Sequence, residues 1–259
     1  MCGNDTSMIQ INRVKPHAEL ILDRPDKFNA LNSGMMKRLQ EALAELEGDD
    51  DTRCVVLKSS SSGAFCSGVD LRELAGFTSV EQARNFALLL DETLLKLLKF
   101  PKPVIARLHG FVYGGGFALA SVCDIRLVAP DTKIAFPAGR LGAILPPALT
   151  FMLNALTGLG NTRELLLTGR SVKAREALEL GLVQYLLPPA EMEKKIHYLI
   201  GELCKSTDTA LAMTKKISNH PLIAAIEQSN LTAAENFAYL AATPEWQQRL
   251  SNFVKRNKS

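Results

Sequence analysis

Two short segments of the chain have the composition to present main-chain N–H groups to a bound carbonyl. Residues 63–71 (GAFCSGVDL) and 109–117 (HGFVYGGGF) each follow an apolar, strand-like run, at 55–57 and 104–106. Two N–H groups held in this way form an oxyanion hole, which stabilises the negative oxygen that develops on a thioester carbonyl. The spacing therefore predicts chemistry at an activated carbonyl, with backbone groups as the principal catalysts.

The glycines of the second segment have two other interpretations. A dinucleotide-binding loop is disfavoured, because the glycines at 110, 114, 115 and 116 do not follow the G-x-G-x-x-G spacing. The other interpretation, a tight packing site that binds no ligand, is left undecided by these residues alone.

The composition limits the classes of function. A length of 259 residues suits one large domain or one with a small appendage, and a net charge of +3 argues against a nucleic-acid-binding protein. Five scattered cysteines without a CxxC pair, and four histidines without ligand spacing, predict neither disulfides nor a metal site. The chain has neither a signal-peptide pattern nor an apolar run of membrane-spanning length. We therefore expect a cytoplasmic protein with free thiols.

Apolar periodicity predicts alternating strands and helices followed by a helical region. The strongest helix is expected over 79–100, where apolar residues recur at i, i+3 and i+4 until Pro101 and Pro103 end the pattern. We expect a core over 1–195 and a helical oligomerisation region over 196–259. The other expected strands are 9–11, 19–22, 53–58, 104–108, 124–129 and 183–186, and the other helices are 34–47 with Ser33 as cap, the short stretch after the glycines, 148–156, 162–167, 174–180, 191–204, 210–217, 223–240 and 245–254.

In order and spacing, these segments resemble the crotonase superfamily, also called the enoyl-CoA hydratase/isomerase family. The resemblance extends from about Ile9 to the C-terminus. It implies an α/β fold, a ClpP-like spiral of ββα units with a helical C-terminal extension, assembled as a homotrimer or a dimer of trimers. The matching stretches are Arg24-Pro25 with Asn29-Ala30-Leu31, 64–74 (AFCSGVDLREL), 101–106 (PKPVIA), 109–129 (HGFVYGGGFALASVCDIRLVA), 167–170 and 181–183.

The resemblance also implies the ligand, an acyl-CoA thioester substrate, with no cofactor beyond its coenzyme A moiety. The oxyanion hole of the family corresponds to the main-chain N–H groups of Val69 and Gly115. Phe237 and Arg256 match positions that close over coenzyme A from the same or a neighbouring subunit, and Lys255 and Lys258 are alternatives to Arg256. The remaining residues expected at the coenzyme A site are Lys27, Ala30, Ser67, Gly68, Asp70 and Leu71.

The chain departs from the hydratases of that family at both catalytic glutamates. The corresponding positions hold Ala118 and Ala138, and no acid lies between Asp131 and Glu164 that a shifted alignment could use. General acid–base catalysis contributes about 10²–10⁴-fold, so ordinary hydration and double-bond isomerisation are disfavoured. Decarboxylation of a malonyl-type thioester forms the enolate by losing carbon dioxide and needs no base at that step.

For each of the residues near the expected site that carry a polar or ionisable side chain, the sequence leaves more than one role open. Arg140 holds a substrate carboxylate or a coenzyme A group, or else forms an ion pair with Asp124 or Asp131. Tyr113 orients or protonates the substrate, although a pocket-wall role is favoured because tyrosine has a high pKa. Asp70 is favoured as the N-cap of a helix near Leu71, with Glu73 completing a capping box, and Cys66 as a packing residue.

Two functions are therefore expected from different classes. The first is an enzyme that stabilises a thioester enolate, with decarboxylation as a specific possibility. The second is a non-catalytic acyl-CoA-binding or assembly protein, which the two alanines favour.

Overall fold

Two sheets connect the segments that the sequence singles out. The computed structural model describes residues 8–256. Within them, a six-stranded sheet has the order β1-β2-β3-β5-β7-β10, and a four-stranded sheet has the order β4-β6-β8-β9. The strands are β1 Ile9–Val14, β2 His17–Leu22, β3 Cys54–Ser59, β4 Ala64–Cys66, β5 Val104–Leu108, β6 Phe111–Tyr113, β7 Ile125–Val128, β8 Lys133–Ala135, β9 Ser171–Lys173 and β10 Tyr185–Leu186.

Helices follow the strand pairs and cover the sheets. They are α1 Ser33–Glu47, α2 Leu71–Ala75, α3 Val80–Lys99, α4 Gly115–Ser121, α5 Pro147–Thr168, α6 Ala174–Glu179, α7 Pro189–Leu203, α8 Asp208–Ala241 and α9 Pro244–Arg256, with 3₁₀-helices at Pro25–Lys27 and Pro137–Leu141. No helix within this described range combines the length and apolar character that crossing a membrane requires.

The repeating unit is two strands followed by a helix, which confirms the predicted spiral. In each of the pairs β3/β4, β5/β6 and β7/β8, the first strand joins the larger sheet in parallel and the second joins the smaller sheet. Helices α2 and α3 follow the first pair, α4 the second and α5 the third. The loop after each second strand therefore emerges at the same edge of the smaller sheet, and this edge positions the candidate site.

The apolar stripe of α3 is buried as its periodicity predicts. Ser79 caps the helix by accepting a hydrogen bond from the Gln82 N–H at 3.2 Å. Phe86, Leu90 and Leu94 are buried in the main core. Helix α8 packs along α3, so a helix from the C-terminal region completes the same core.

Several boundaries differ from the sequence prediction. Asn32, rather than Ser33, caps α1, and its side chain accepts from the Met35 N–H at 2.8 Å. Helix α8 runs continuously across Pro221, where two helices were expected. Contacts with α3 hold the helix on both sides of the proline, since Asn219 donates to the Leu98 carbonyl at 3.1 Å and Glu227 pairs with Lys99. This packing outweighs the hydrogen bond that proline removes. The helices expected on either side of Gly158 likewise form α5, with a local break at that glycine.

The predicted division at residue 195 falls inside α7. This helix packs its apolar face on the larger sheet, where Met192 and Ile196 lie in a cluster with Val56 and Ile105. Part of the predicted C-terminal region is thus a layer of the spiral. The oligomerisation role of residues 196–259 stays a prediction.

Candidate active site

The first donor loop is held in place by Leu31, which pairs alongside it like a short strand. The Leu31 N–H donates to the Gly68 carbonyl, and the Asp70 N–H donates to the Leu31 carbonyl, both at 2.8 Å. In extended backbone, successive N–H groups point to opposite sides. The Val69 N–H between these two bonds is therefore directed away from Leu31.

A left-handed turn positions Leu31. Phe28 and Asn29 have φ values of 49° and 53°, a conformation that asparagine adopts more readily than most residues. The buried Asn29 side chain donates to Ser59 Oγ at 2.6 Å and to the Phe65 carbonyl at 3.1 Å. It also accepts from the Arg24 N–H at 2.7 Å. These bonds tie the turn to the strands beside the first donor loop.

The second donor loop ends in the glycines that start α4. Gly114, with φ 46°, donates its N–H to the Ala135 carbonyl at 2.9 Å. Its carbonyl accepts from the Ala118 N–H at 3.0 Å, which leaves Gly115 as the first helical residue. Gly116 lies against the first loop, where an added Cβ would come within 2.3 Å of the Cys66 carbonyl oxygen. The two loops touch because this residue has no side chain.

The main-chain N–H groups of Val69 and Gly115, which we call the donor wall, lie side by side. A Cβ built on Gly115 would be 3.5 Å from the Val69 nitrogen, and one built on Gly68 would be 3.8 Å from the Gly115 nitrogen. Within residues 8–256, neither N–H donates to a loop carbonyl or a side chain. Their role as an oxyanion hole, expected from the sequence, stays a prediction.

The donor wall opens into a cavity of about 260 Å³ with a mainly apolar lining. The C-terminal helices of the same chain cover it, since Phe237 of α8 and Trp246 of α9 both line it with their rings 5.7 Å apart. This volume accommodates a small acyl group. Other apolar lining residues are Leu71, Leu74, Phe86, Ala87, Leu90, Leu141, Ala143, Ile144, Leu145, Pro146, Pro147, Ala233 and Phe253.

Tyr113 and Arg140, the predicted polar candidates, both line this cavity. Burial raises the pKa of Tyr113, so its phenol remains a neutral hydrogen-bonding group. The Arg140 guanidinium donates to the Thr168 carbonyl at 3.1 and 3.3 Å. The alternative prediction, an ion pair of Arg140 with Asp124 or Asp131, is wrong for the described residues. Asp124 instead pairs with Lys215 at 2.8 Å.

The residues expected at coenzyme A fall into two groups. Ser67, Gly68, Leu71 and Phe237 line the cavity. Lys27 and Ala30 lie outside it, on the loop before Leu31, and the Lys27 ammonium pairs with Asp26 at 3.3 Å. Arg256 ends α9, and its side chain lies outside the described part of the chain, as does Lys258.

Asp70 caps α2, as favoured from the sequence. Its carboxylate accepts from the N–H groups of Arg72 at 3.0 Å and Glu73 at 3.4 Å, and it pairs with Arg24 at 3.0 Å. The expected capping box is wrong. Because the Asp70 N–H already donates to Leu31, the Glu73 carboxylate accepts from the Ser33 N–H at 2.9 Å instead.

The two alanines occupy different surroundings. Ala118 is fully buried inside α4, whereas Ala138 lines the cavity. Cys66 is also fully buried, and burial raises its pKa to about 12. This thiol is therefore a packing group, as expected.

Sequence reasoning missed Asp91, a carboxyl that lines the cavity from α3. Asp91 is 2% exposed, and its Oδ1 has no hydrogen-bond partner among the described residues. Burial raises its pKa to about 7, against the opposing effect of the Ala148 N–H. The signal was present in the chain: Asp91 follows Ala87 by four residues on the apolar face of α3, a face on which a charged side chain is unusual.

Comparison with known proteins identifies the family. A sequence profile described as enoyl-CoA hydratase/isomerase matches residues 17–259, nearly the whole chain. The chain belongs to the enoyl-CoA hydratase/isomerase family. A short-chain-enoyl-CoA hydratase of Clostridium acetobutylicum is 28% identical over 241 residues, which cover 93% of this chain and 92% of that protein. A crotonyl-CoA hydratase of Syntrophomonas wolfei is 27% identical over 242 residues, or 93% of each chain.

Solved structures of the same family share the fold. An enoyl-CoA hydratase from Bacillus halodurans superimposes with a TM-score of 0.89 and 25% identity, covering 95% of this chain and all of that one. The family resemblance expected from the two donor loops is confirmed. The chain is thus a family member that has alanine at the two positions expected to hold catalytic glutamates.

Proposed function

We propose that this chain binds a malonyl-type acyl-CoA thioester and stabilises the enolate formed when the thioester loses carbon dioxide. The observation that carries the proposal is an intact donor wall in a largely apolar cavity with Ala138 at one glutamate position. The bond between Cα and the carboxylate breaks, and its electron pair forms the enolate. The Val69 and Gly115 N–H groups stabilise the enolate oxygen, and Cα then takes a proton.

The charged end of the substrate has one suitable partner among the described lining residues. Arg140 is the only cation of that lining, and its guanidinium retains N–H donors beyond the two that contact Thr168. We assign it to the substrate carboxylate, with Tyr113 as a neutral orienting group. Ser67, Gly68, Leu71 and Phe237 would contact the thioester and pantetheine.

The outer part of coenzyme A would extend beyond the cavity. Lys27 and Ala30 lie on the loop that precedes the donor wall, and Lys27 supplies a positive charge suited to phosphate groups. Asp70, the N-cap of α2, directly follows Val69 of the donor wall. Arg256 at the end of α9 is assigned to a phosphate of coenzyme A. A cytoplasmic location, a homotrimer or dimer of trimers, and the absence of a cofactor beyond coenzyme A remain predictions.

The first experiment presents the purified protein with a panel of acyl-CoA thioesters. The panel contains 2-enoyl, 3-enoyl, saturated and malonyl-type members, and mass spectrometry after chromatographic separation identifies the products. Loss of carbon dioxide from a malonyl-type member is the expected result. Efficient addition of water to an enoyl member would contradict the proposal.

A matched pair at Gly115 links turnover to the donor wall. Gly115→Pro removes the N–H at the first helical position, where proline is otherwise tolerated, and Gly115→Ala keeps it. We expect the proline variant to lose about 10²–10³-fold in kcat relative to the alanine variant. Circular dichroism and acyl-CoA binding verify that the proline variant still folds and binds. Equal kcat in the two variants would remove this N–H from the mechanism.

A non-catalytic acyl-CoA-binding role is the second candidate, and the two alanines favour it. It predicts that coenzyme A species are retained by the protein while no member of the panel is converted. Retention without any product would support this role over the enzyme.

A further inference from the structure

Asp91 carries a carboxyl group that has no role in the enolate stabilisation by Val69 and Gly115. It is 2% exposed, lines the same cavity as Val69 and Gly115, and has one oxygen that finds no hydrogen-bond partner within residues 8–256. A buried polar group without a partner is destabilising. Such a group persists most readily where a ligand or a proton completes its interactions.

The position of Asp91 relative to the donor wall follows from the chain itself. A Cβ built on Gly114 would lie 3.8 Å from Leu145 Cδ2, so Leu145 packs beside the second donor loop. The Ala148 N–H interacts with the Asp91 carboxyl. Leu145 and Ala148 are three peptide steps apart, which span at most about 11 Å between α-carbons. Asp91, Val69 and Gly115 all line the same cavity of about 260 Å³.

A purely structural role would make Asp91 a cap for α5. The Ala148 N–H belongs to the first turn of that helix, where a carboxylate is favourable. This role leaves Oδ1 unexplained, because that atom is buried without a partner. Asp70, the aspartate that caps α2, differs in this respect. Its carboxylate accepts from the N–H groups of Arg72 and Glu73 and pairs with Arg24.

We propose that the Asp91 carboxyl transfers the proton at Cα of the bound acyl group. This inference rests on the proposed function, since it needs an enolate held by the donor wall. After decarboxylation, the O–H bond of the neutral acid breaks, its proton forms the new Cα–H bond, and the resulting carboxylate regains a proton from water. In the reverse sense, the carboxylate removes a proton from Cα of a saturated acyl-CoA, and the enolate forms.

The surroundings of Asp91 suit both directions. The other titratable groups of the described lining are Tyr113 from β6 and Arg140 from the 3₁₀-helix. From α2, α5, α8 and α9 the lining receives only apolar and aromatic side chains. Burial is the principal cause that brings the pKa of Asp91 to about 7, and a catalytic group works best with a pKa near the working pH.

The test measures hydrogen exchange at Cα, a reaction that needs no decarboxylation. The full-length protein is incubated with butyryl-CoA in D₂O, and mass spectrometry follows deuterium uptake at Cα. The variants are Asp91→Asn, which keeps the size and an acceptor for the Ala148 N–H, and Glu92→Gln, which makes the same change at an exposed residue of the same helix. Calorimetry of butyryl-CoA binding accompanies each variant.

We expect wild-type exchange to rise with pH through about 7 as the Asp91 carboxylate forms. Asp91→Asn should reduce it by about 100-fold or more without weakening acyl-CoA binding, whereas Glu92→Gln should stay within about twofold of wild type. Absence of exchange in the wild type, or equal exchange in Asp91→Asn, would overturn the assignment. Failure of decarboxylation in the panel would instead refute the proposed function, because exchange tests Asp91 separately.

Discussion

The donor wall and the α3 face of the cavity are assigned complementary roles, and they use different parts of the chain. The donor wall consists of main-chain N–H groups, and its geometry depends on close contact between two loops, as at Gly116 and Cys66. The α3 face contributes one polar side chain, Asp91, from the middle of a regular helix. The position of a main-chain N–H donor is set by the fold, whereas any element that borders the cavity can carry a carboxyl group. With alanine at positions 118 and 138, the described lining of the cavity still includes one acid, Asp91.

The largest effect is expected from breaking the donor wall with Gly116→Ala. The added Cβ would meet the Cys66 carbonyl oxygen at 2.3 Å, and both partners are backbone or buried groups that cannot move aside. We expect a loss of about 4 kcal/mol or more in the free energy of unfolding, or failure to fold. Urea unfolding measures this, with Gly139→Ala as control because nothing lies within 4 Å of its added Cβ. Similar stabilities for the two variants would contradict the tight contact between the loops.

On the α3 face, the substitution Asp91→Asn, which removes the proposed proton transfer, should also stabilise the folded state at high pH. The pKa of Asp91 is raised from 3.8 to about 7 by burial, so the folded state binds more protons than the unfolded state between these values. The unfolding free energy of the wild type therefore falls as pH rises from about 4 to 7.

Asp91→Asn removes this pH dependence, and we expect it to be more stable than wild type by a few kcal/mol at pH 8 and nearly equal at pH 4. Urea unfolding of both proteins across this pH range measures the difference, with Glu92→Gln as the exposed control. A constant difference at all pH values would show that Asp91 is not buried as a neutral acid.

A smaller effect is expected at the charged edge of the cavity. Arg140→Ala should raise KM for a malonyl-type thioester by about tenfold, because a charge-assisted hydrogen bond contributes about 1.5–3 kcal/mol when buried and less at an exposed edge. Binding of a saturated acyl-CoA should change little. Steady-state kinetics with Arg163→Ala, an exposed arginine of α5 outside the cavity lining, supplies the control. Unchanged turnover and KM would remove Arg140 from the mechanism.

The smallest effect is expected at Asp70, the aspartate next to the donor wall. Asp70→Asn keeps a cap acceptor for the N–H groups of Arg72 and Glu73 but loses the charge opposite Arg24. We expect a loss of about 1 kcal/mol or less in stability and Cα exchange close to wild type. Exchange that falls as far as in Asp91→Asn would reverse the roles assigned to the two aspartates.

The sequence located the donor wall because backbone function leaves a local signature. Glycines that permit close approach, and short apolar strands before them, are visible without knowing what they touch. Asp70 was interpreted correctly as a cap for the same reason, since capping involves residues two and three positions away. The strands β4, β6, β8 and β9 were not predicted, because three-residue strands carry too short a pattern to distinguish from loops.

Long-range packing decided the features that sequence reasoning missed. Pro221 lies inside α8 because contacts with α3 hold that helix on both sides of the proline, through Asn219 and Glu227. Glu73 bonds to Ser33 because the Leu31 carbonyl already accepts from the Asp70 N–H. The sequence by itself determined the alternation of strands and helices, through local periodicity, and the family with its spiral of ββα units, through motifs in a fixed order that resemble the crotonase superfamily. The assignment of Val69 and Gly115 as the two N–H donors stays a prediction. Only the tertiary structure decided which acid lines the cavity, because the side chain of Asp91 reaches it through contacts between elements far apart in the chain.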